Sequence, residues 1–470
     1  MSEPKKVACV ERVMQQSSGL HRTMPIKSAV MVGVGGTLGT GLFLSSGDVL
    51  STVGPWGAII LYIIGGFIAW LMTACLGEMS AAMPVSGAQQ AYATEFCGPA
   101  LGMTIGWVGW VGGATTISAQ VVASAIIMRD VIPGSPTWLW IVVFALVMLG
   151  LNMLDAKLFG EISFWASTLK LLLVVAFIIV GAAMLFGGFG YDAAAVSHSA
   201  GEEKVTLLAM CGCILTSFYA YAGTEIIGST AGELKDENKM GTTINLTIFV
   251  LLAVVLVCIA FVCMLLPADQ ADVLGSPFAY IFRNAGLDSA ALVVNLIVLT
   301  SALTSGNYFV YESSRYLWSM AKFGQAPKFF ATTNKKGVPV RALGISMICG
   351  MAAIIAEFVA PDTVYVFILY LIGGCNIFLY TVICASCYRF RKKYIADGGK
   401  VEDLKYKTPA FPLVPILGII AFMLMLVATL VDPGERVGII VCAILYLAIY
   451  IGCRIFVKKK GADAVKNVSV

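Results

Sequence analysis

The stretch Met31–Ser45, with the sequence MVGVGGTLGTGLFLS, constrains the fold of this chain more than any other. It lies in an apolar run, Ser28–Gly47, which has no charged residue and is about as long as a helix that crosses a bilayer. It also contains five glycines, and glycine weakens a helix because it loses the most backbone freedom on ordering. Together these properties predict a membrane-spanning helix that is interrupted near its middle.

An interrupted helix leaves backbone groups free at membrane depth, where lipid cannot satisfy them. Such backbone is tolerated only where it is protected by protein or lines a wet cavity. The free N–H groups of the second half-helix attract an anion, and the carbonyl groups of the first half attract a cation. A zwitterion carries one charge of each sign. The alternative is a glycine-rich face that lets neighbouring helices pack closely, and this stretch alone leaves both interpretations open.

The rest of the chain is also apolar. Of its 470 residues, 59% are hydrophobic and 12% are charged, whereas soluble domains carry about 25% charged residues. We therefore expect an all-α, polytopic membrane protein with 12 transmembrane helices. The predicted spans lie near residues 28–49, 55–82, 100–128, 137–153, 161–188, 205–232, 241–267, 289–313, 341–360, 363–386, 411–431 and 435–456.

Lysine and arginine indicate the orientation of these spans. With the N-terminus inside the cell, 26 of the 31 basic residues lie in cytoplasmic segments, four lie in outer loops, and Lys170 lies within a span. Positive charge favours the cytoplasmic side, so we expect a cell (inner or plasma) membrane protein with cytoplasmic tails at residues 1–27 and 457–470. The net charge of +4 reflects this orientation and gives no indication of nucleic-acid binding.

A second span is also rich in polar and small residues. It is Cys211–Glu233, with the sequence CGCILTSFYAYAGTEIIGSTAGE. If residues 28–188 and 205–386 form two inverted halves of five spans, the two unusual spans occupy matching positions, which is the best sequence indication of a transporter's binding site. This match favours the interruption. Spans 11 and 12, within residues 409–456, would then be a scaffold or a dimer surface.

Several motifs match a known family along nearly the whole chain. They are GGTLGTGLF (35–43), GEMSAAMPVSGA (77–88), GEISFWASTLK (160–170), AYAGTEIIGSTAGELKD (220–236), SPF (276–278), GNYFVYESSRYLWSMAKFGQAPKFF (306–330), GVP (337–339) and YRFRKKY (388–394). By these motifs the chain resembles the amino acid–polyamine–organocation transporters, and among them the amino acid permeases. The resemblance implies a five-plus-five inverted repeat, discontinuous helices 1 and 6, two additional helices, and uptake of an amino acid driven by a proton gradient without a cofactor.

The resemblance also implies a set of substrate-binding positions. Residues expected to bind the substrate carboxylate through backbone amides are Thr37, Gly39, Thr40 and Gly41. Carbonyl groups expected near the substrate amino group belong to Val32, Gly33, Phe218, Ala220 and Tyr221. Phe218 corresponds to an aromatic gate, although phenylalanine in an apolar span can equally be packing. Relatives often carry a carboxylate where this chain has Gln120, which cannot ionise and argues against a cationic side chain.

Two ionisable residues lie inside spans. Lys170 is the only charged residue between Ile162 and Gly187, and the resemblance puts it where sodium-driven relatives hold a sodium ion, with Thr304 and Ser305 as its span 8 partners. It could carry the coupled proton, or its ammonium group could extend to the inner surface. Glu225 begins the second half of span 6, where it could bind substrate or hold the interruption open.

The sequence also narrows the class of function. The two histidines, His21 and His198, lie outside the spans, so histidine-based catalysis or metal binding inside the membrane is excluded. No enzyme constellation and no ring of pore residues is visible. We expect a secondary transporter of a neutral amino acid, as a monomer or homodimer in the lipid bilayer. A cationic substrate, an exchange mechanism and a binding sensor are the alternatives.

Two further expectations concern the cytoplasmic side of the membrane. Charged residues near inner span ends could form a gate with Arg22 or be ordinary solvated charges; they are Glu78, Glu161, Glu233 and Arg315. The loop that follows span 2 has no lysine or arginine, and we expect it to form a short amphipathic segment at the inner interface.

Overall fold

The computed structural model describes residues 7–15, 22–154, 156–190, 205–236, 239–267, 276–359, 361–431 and 433–461. These described residues fold as helices joined by loops, and they contain no β-strand. Parts of both predicted tails, residues 1–6, 16–21 and 462–470, lie outside the described residues, as do His21, His198 and the outer-loop Lys204.

Seventeen α-helices occur in the described part of the chain. In order they are α1 (Ala8–Gln15), α2 (Ile26–Thr37), α3 (Thr40–Phe43), α4 (Ser45–Ala82), α5 (Ala88–Tyr92), α6 (Pro99–Val131), α7 (Thr137–Asn152), α8 (Ala156–Leu185), α9 (Leu207–Tyr219), α10 (Ile226–Thr230), α11 (Met240–Leu265), α12 (Pro277–Asn284), α13 (Asp288–Lys322), α14 (Val340–Val359), α15 (Pro361–Ala396), α16 (Leu413–Val431) and α17 (Pro433–Lys460).

Many of these helices have the length and polarity of membrane spans. Within the described residues, eight are long and apolar enough to cross a bilayer, and three shorter apolar helices accompany them. The outer faces of the long helices expose large apolar side chains; on α8, Leu172 is 60% exposed and Ile179 is 64% exposed. Water would solvate such faces poorly, whereas lipid solvates them well. The structure therefore has the character of a polytopic membrane protein.

The predicted interruption of the first span is present. Helix α2 ends at Thr37, and α3 begins at Thr40 after an extended Gly39. Helix α3 is followed by α4, which contains a second change of direction at Gly54, where φ is +66°. That conformation suits glycine because it has no Cβ.

The second unusual span is also interrupted. Helix α9 ends at Tyr219 and α10 begins at Ile226, with non-helical residues between them. The turn contains Gly223 at φ +102°, and a Cβ at this position would lie 2.9 Å from the carbonyl oxygen of Gly36. The two interruptions therefore pack directly against each other, backbone on backbone. The glycines permit both the interruption and the close packing that the sequence left as alternatives.

The loop after span 2 differs from its prediction. It forms helix α5, which continues into a π-helical turn at Ala93–Cys97. The segment is buried within the protein and has no exposed polar face, because its polar side chains Gln89 and Gln90 have hydrogen-bond partners on α13 and in the loop that follows it.

Candidate functional site

A cavity lies where the two interruptions meet. It is small, and its lining residues are Thr37, Gly39, Thr40, Gly41, Gln120, Tyr219, Ala222, Ser305 and Phe309. Six of these nine were predicted as functional residues, and they come from three distant segments of the chain. Tyr219, Ala222 and Phe309 were not predicted to be at the site, although Tyr219 and Ala222 flank two residues that were.

Backbone groups form one wall of this cavity. The first turn of a helix has N–H groups without intrahelical acceptors, and in α3 these groups belong to Thr40 and Gly41. The interruption permits no side chain at Gly41, since a Cβ there would lie 2.6 Å from the carbonyl oxygen of Tyr219. The wall is thus suited to a small anionic group such as a carboxylate, which needs close approach to backbone N–H groups.

Gln120 of α6 provides the polar side chain opposite this wall. Its Nε2 donates to the hydroxyl oxygens of Thr40 at 3.1 Å and Tyr219 at 3.4 Å. Its Oε1 is buried and has no hydrogen-bond partner among the described residues. A buried acceptor without a partner is costly, so this oxygen is available to a donor on a bound molecule.

Lys170 of α8 lies behind the interruption of α2 and α3. The residue is fully buried, and its Nζ donates to the carbonyl oxygens of Gly35 at 2.6 Å, Leu38 at 2.8 Å and Ser301 at 3.2 Å. Three acceptors around one nitrogen require three N–H donors, which only the ammonium form has. The lysine therefore joins the first interruption to α8 and α13 and does not extend to the inner surface.

The predicted span 8 partners of Lys170 require a correction. Thr304 donates to the carbonyl oxygen of Thr300, within its own helix, and Ser305 donates to the carbonyl oxygen of Gly36 at 2.9 Å. Neither hydroxyl is hydrogen-bonded to the lysine, although the Thr304 hydroxyl also donates, at 3.1 Å, to the Ser301 carbonyl that accepts from Lys170. Ser301 lies four residues before Ser305 and on the same helix face, a spacing that could have identified it.

Other predicted residues lie outside the cavity wall. The carbonyl oxygen of Gly33 accepts a hydrogen bond from the Thr37 hydroxyl at 2.9 Å, and Val32 is buried in an apolar cluster. Phe218 packs against Tyr380 and Phe422, with ring centroids 5.9 and 5.8 Å apart. Its role as a gate stays a prediction.

The remaining residues of the second interruption also have structural partners. Tyr221 donates from its hydroxyl to the carbonyl oxygen of Tyr62 at 2.9 Å, and Ala220 lies beside Gly41. Substrate roles for these two residues likewise stay predictions.

Glu225 stabilises the second interruption. Its Oε2 accepts the N–H of Gly223 at 2.9 Å and the hydroxyl of Tyr380 at 2.6 Å. These bonds fit the structural alternative, in which the carboxyl group holds the turn open. A substrate role for Glu225 stays a prediction.

Ion pairs lie near the ends of the spans that were predicted to be cytoplasmic. Arg315 and Glu233, two of the gate candidates, form a buried pair at 3.0 Å, and the gate itself stays a prediction. Glu78 pairs with Arg391, which was not predicted. The segment before α2 is attached nearby, because the N–H of Met24 donates to the carbonyl oxygen of Glu233 at 3.0 Å.

Comparison with known proteins gives a consistent result. The family model described as "Amino acid permease" matches residues 28–465. The chain is 36% identical to the amino-acid permease RocE of Bacillus subtilis (strain 168), covering 94% of this chain and 96% of that protein. It is 34% identical to the lysine-specific permease LysP of Escherichia coli (strain K12), covering 88% and 87%. It is 31% identical to the histidine permease HisP of Lactococcus lactis subsp. cremoris (strain MG1363), covering 93% and 96%.

Proposed function

The chain belongs to the amino acid permease family, and on that premise we propose that it is a secondary transporter that takes up an amino acid together with a proton. Membership of the family confirms the resemblance drawn from the sequence motifs. The observation that carries the proposal is the position of Lys170, whose three hydrogen bonds join the first interruption to α8 and α13 directly behind the cavity.

The proposed architecture has twelve spans with both termini in the cytoplasm. Helices α2 and α3 and the start of α4 form span 1, and α9 and α10 form span 6. These two spans occupy matching places in two inverted halves of five, and α16 and α17 are the additional helices. The two interruptions that pack against each other support this arrangement, and the distribution of basic residues supports the orientation.

In the proposed complex, the substrate is held by its two ends. Its carboxylate accepts hydrogen bonds from the N–H groups at the start of α3, whose helix dipole also favours negative charge. Its ammonium group faces carbonyl oxygens at the second interruption. Every amino acid carries these two groups, so the backbone provides recognition that is independent of the side chain.

Coupling follows from the hydrogen bonds of Lys170. The ammonium form satisfies the carbonyls of Gly35, Leu38 and Ser301, whereas a neutral amine has only two N–H donors and must release one of them. Loss of one bond weakens the connection between the first interruption and the α8–α13 side. Protonation thus favours the closely packed cavity that binds substrate, and deprotonation favours its opening towards the cytoplasm.

The cavity favours a neutral substrate. None of its lining residues is charged, and a cationic side chain in the membrane interior would need a counter-charge. A cationic amino acid is the second candidate, because the free Oε1 of Gln120 can accept a hydrogen bond from an ammonium group and one similar relative is named as a lysine-specific permease.

Reconstitution into liposomes tests the proposal. A screen of the standard amino acids for binding to the purified protein identifies the substrate, and radiolabelled uptake is then measured without sodium. We expect accumulation when the outside is acidic, and its loss when a protonophore dissipates the gradient. Accumulation that requires sodium, or that ignores the protonophore, would contradict proton coupling. Counterflow that persists while gradient-driven uptake is absent would instead identify an exchanger.

A further inference from the structure

Glu312 of α13 is a buried carboxyl group that the proposed function does not use. Its Oε1 accepts hydrogen bonds from Nε2 of Gln89 at 3.2 Å and from the hydroxyl of Ser229 at 3.4 Å. The helix rises about 1.5 Å per residue, so Glu312 lies about 10 Å along α13 from Ser305 in the cavity wall. Arg315, which pairs with Glu233, lies one turn further on. Glu312 therefore lies between the cavity and this ion pair.

Glu225 provides a second carboxyl group beside it. The amide of Gln89 bridges the two residues, because its Nε2 donates both to the Glu225 backbone carbonyl at 2.9 Å and to the Glu312 carboxyl. Both glutamates are at least 96% buried. In the described structure, the side-chain hydrogen bonds to both carboxyl groups come from uncharged donors.

Two titratable groups lie beside this pair: Tyr380 of α15, whose hydroxyl donates to Glu225 at 2.6 Å, and Tyr316, one helical turn after Glu312 on α13. The nearest basic residue on the same helix, Arg315, is occupied by Glu233 and by the ring of Tyr311. Helix α6 packs against this part of α13 through two glycines: a Cβ at Gly109 would meet the ring of Tyr316, and one at Gly113 would meet the hydroxyl of Ser313. Among the described residues, no cation neutralises the two carboxyl groups.

Two ionised carboxylates in such a place are unfavourable, since burial penalises each charge and like charges repel. A single proton bound by the pair neutralises one carboxylate. This removes the cost of burying that charge and the repulsion between the two charges. An independent observation points to the same ligand. The hydroxyl of Tyr316 is buried and has no hydrogen-bond partner among the described residues, and Tyr316 follows Glu312 by one helical turn on the same face of α13. Its O–H group is therefore available to donate a hydrogen bond to a carboxylate of the pair.

We propose that the buried pair Glu312 and Glu225 holds a second transported proton on the cytoplasmic side of the cavity, with Glu312 as the group that releases it. The inference rests on the proposed proton-coupled function and orientation. When the Glu233–Arg315 pair opens, water reaches Glu312, the carboxyl O–H bond breaks, and the proton passes to a water molecule. The carboxylate that remains is stabilised by Gln89, Ser229 and the spare hydroxyl of Tyr316. The site is filled again through the cavity when the transporter faces outwards.

The ratio of protons to substrate tests this site. In proteoliposomes, the substrate gradient that exactly balances an imposed pH gradient gives the ratio directly. Glu312→Gln keeps the size and the hydrogen-bonding ability of the side chain but cannot release a proton. We expect it to transport one proton fewer than the wild type, so accumulation falls about tenfold per unit of pH gradient. Counterflow, which needs no net proton movement, should stay within about twofold. The matched control Glu402→Gln makes the same chemical change at an exposed glutamate outside the site and should keep the wild-type ratio.

Several outcomes would overturn the inference. An unchanged ratio in Glu312→Gln would mean that Glu312 holds its proton permanently as a structural group. A loss confined to cationic amino acids would assign Glu312 to substrate selectivity. If Glu312→Gln does not yield folded protein, Tyr316→Phe serves instead: it should move the pH of half-maximal uptake, and an unmoved profile refutes the site. A wild type without proton-driven uptake would refute the proposed function as well, whereas the other outcomes leave that function standing.

Discussion

Replacing Gly41 with alanine introduces one methyl group at the point where the two interruptions meet. The added Cβ would lie 2.6 Å from the carbonyl oxygen of Tyr219, 2.8 Å from its carbonyl carbon and 2.9 Å from the backbone nitrogen of Ala220. These are backbone atoms, so no change of rotamer can relieve the contact. The two interruptions must separate, and the N–H groups at the start of α3 then move away from the position of the substrate carboxylate.

The size of the effect follows from this geometry. Inserting a methyl group into a packed interior costs about 1–3 kcal/mol. If that cost falls on the closed, substrate-binding arrangement, the apparent dissociation constant should rise by about 5- to 150-fold. Gly39→Ala should lose less, because its nearest contacts are side-chain atoms, the hydroxyl of Ser305 at 2.9 Å and its Cβ at 3.1 Å, and not the backbone of the second interruption.

The assay is equilibrium binding of radiolabelled substrate to purified protein, with size-exclusion chromatography to establish that each variant is folded. Gly344→Ala is the matched control, because a Cβ at Gly344 would have no heavy atom within 4 Å. We expect this control to bind like the wild type. If Gly41→Ala also binds like Gly344→Ala, the close contact between the two interruptions is not needed for binding, and the reasoning is wrong.

Three further predictions concern the same site. Lys170→Ala should lose most proton-driven accumulation while keeping slow exchange, because the ammonium group that joins Gly35, Leu38 and Ser301 is gone; uptake with an unchanged pH dependence would make the lysine purely structural. Gln120→Glu should shift the affinity ratio towards cationic amino acids by about tenfold or more, or about 1.4 kcal/mol, and an unchanged ratio in competition binding would remove Gln120 from the side-chain pocket. An esterified substrate should fail to compete for binding, since it lacks the carboxylate that the N–H groups receive; normal competition by the ester would refute that contact.

Much of this protein was determined locally by its sequence. Apolar runs, clustered glycines and the distribution of basic residues are properties of short segments, and lipid and backbone chemistry act on them directly. The glycine-rich stretch Met31–Ser45 therefore marked the first span as unusual, and the matching position of Cys211–Glu233 was needed to favour an interruption over close packing. Lys170 could be recognised as unusual because a charged residue inside an apolar span is costly wherever the helix packs.

The partners of these residues were decided only by the tertiary structure. Lys170 contacts the carbonyl of Ser301 and not the hydroxyl of Thr304, because the rotation of α13 about its axis sets which group faces α8. Every residue has a backbone carbonyl group, so the sequence does not indicate which carbonyl groups accept a hydrogen bond from the lysine. Phe218 could be predicted to be apolar and buried, but its contact with Phe422 depends on how α9 packs against α16.

Glu312 is the clearest case of what the fold adds. In the sequence it is one carboxyl group near the end of a span, 87 positions away from Glu225. Helix packing brings Gln89 between the two residues, and only then do two ordinary side chains become a buried pair without a counter-ion. The sequence determines which groups can ionise, whereas the tertiary structure determines their neighbours and their access to water, because both depend on contacts between segments that are far apart along the chain.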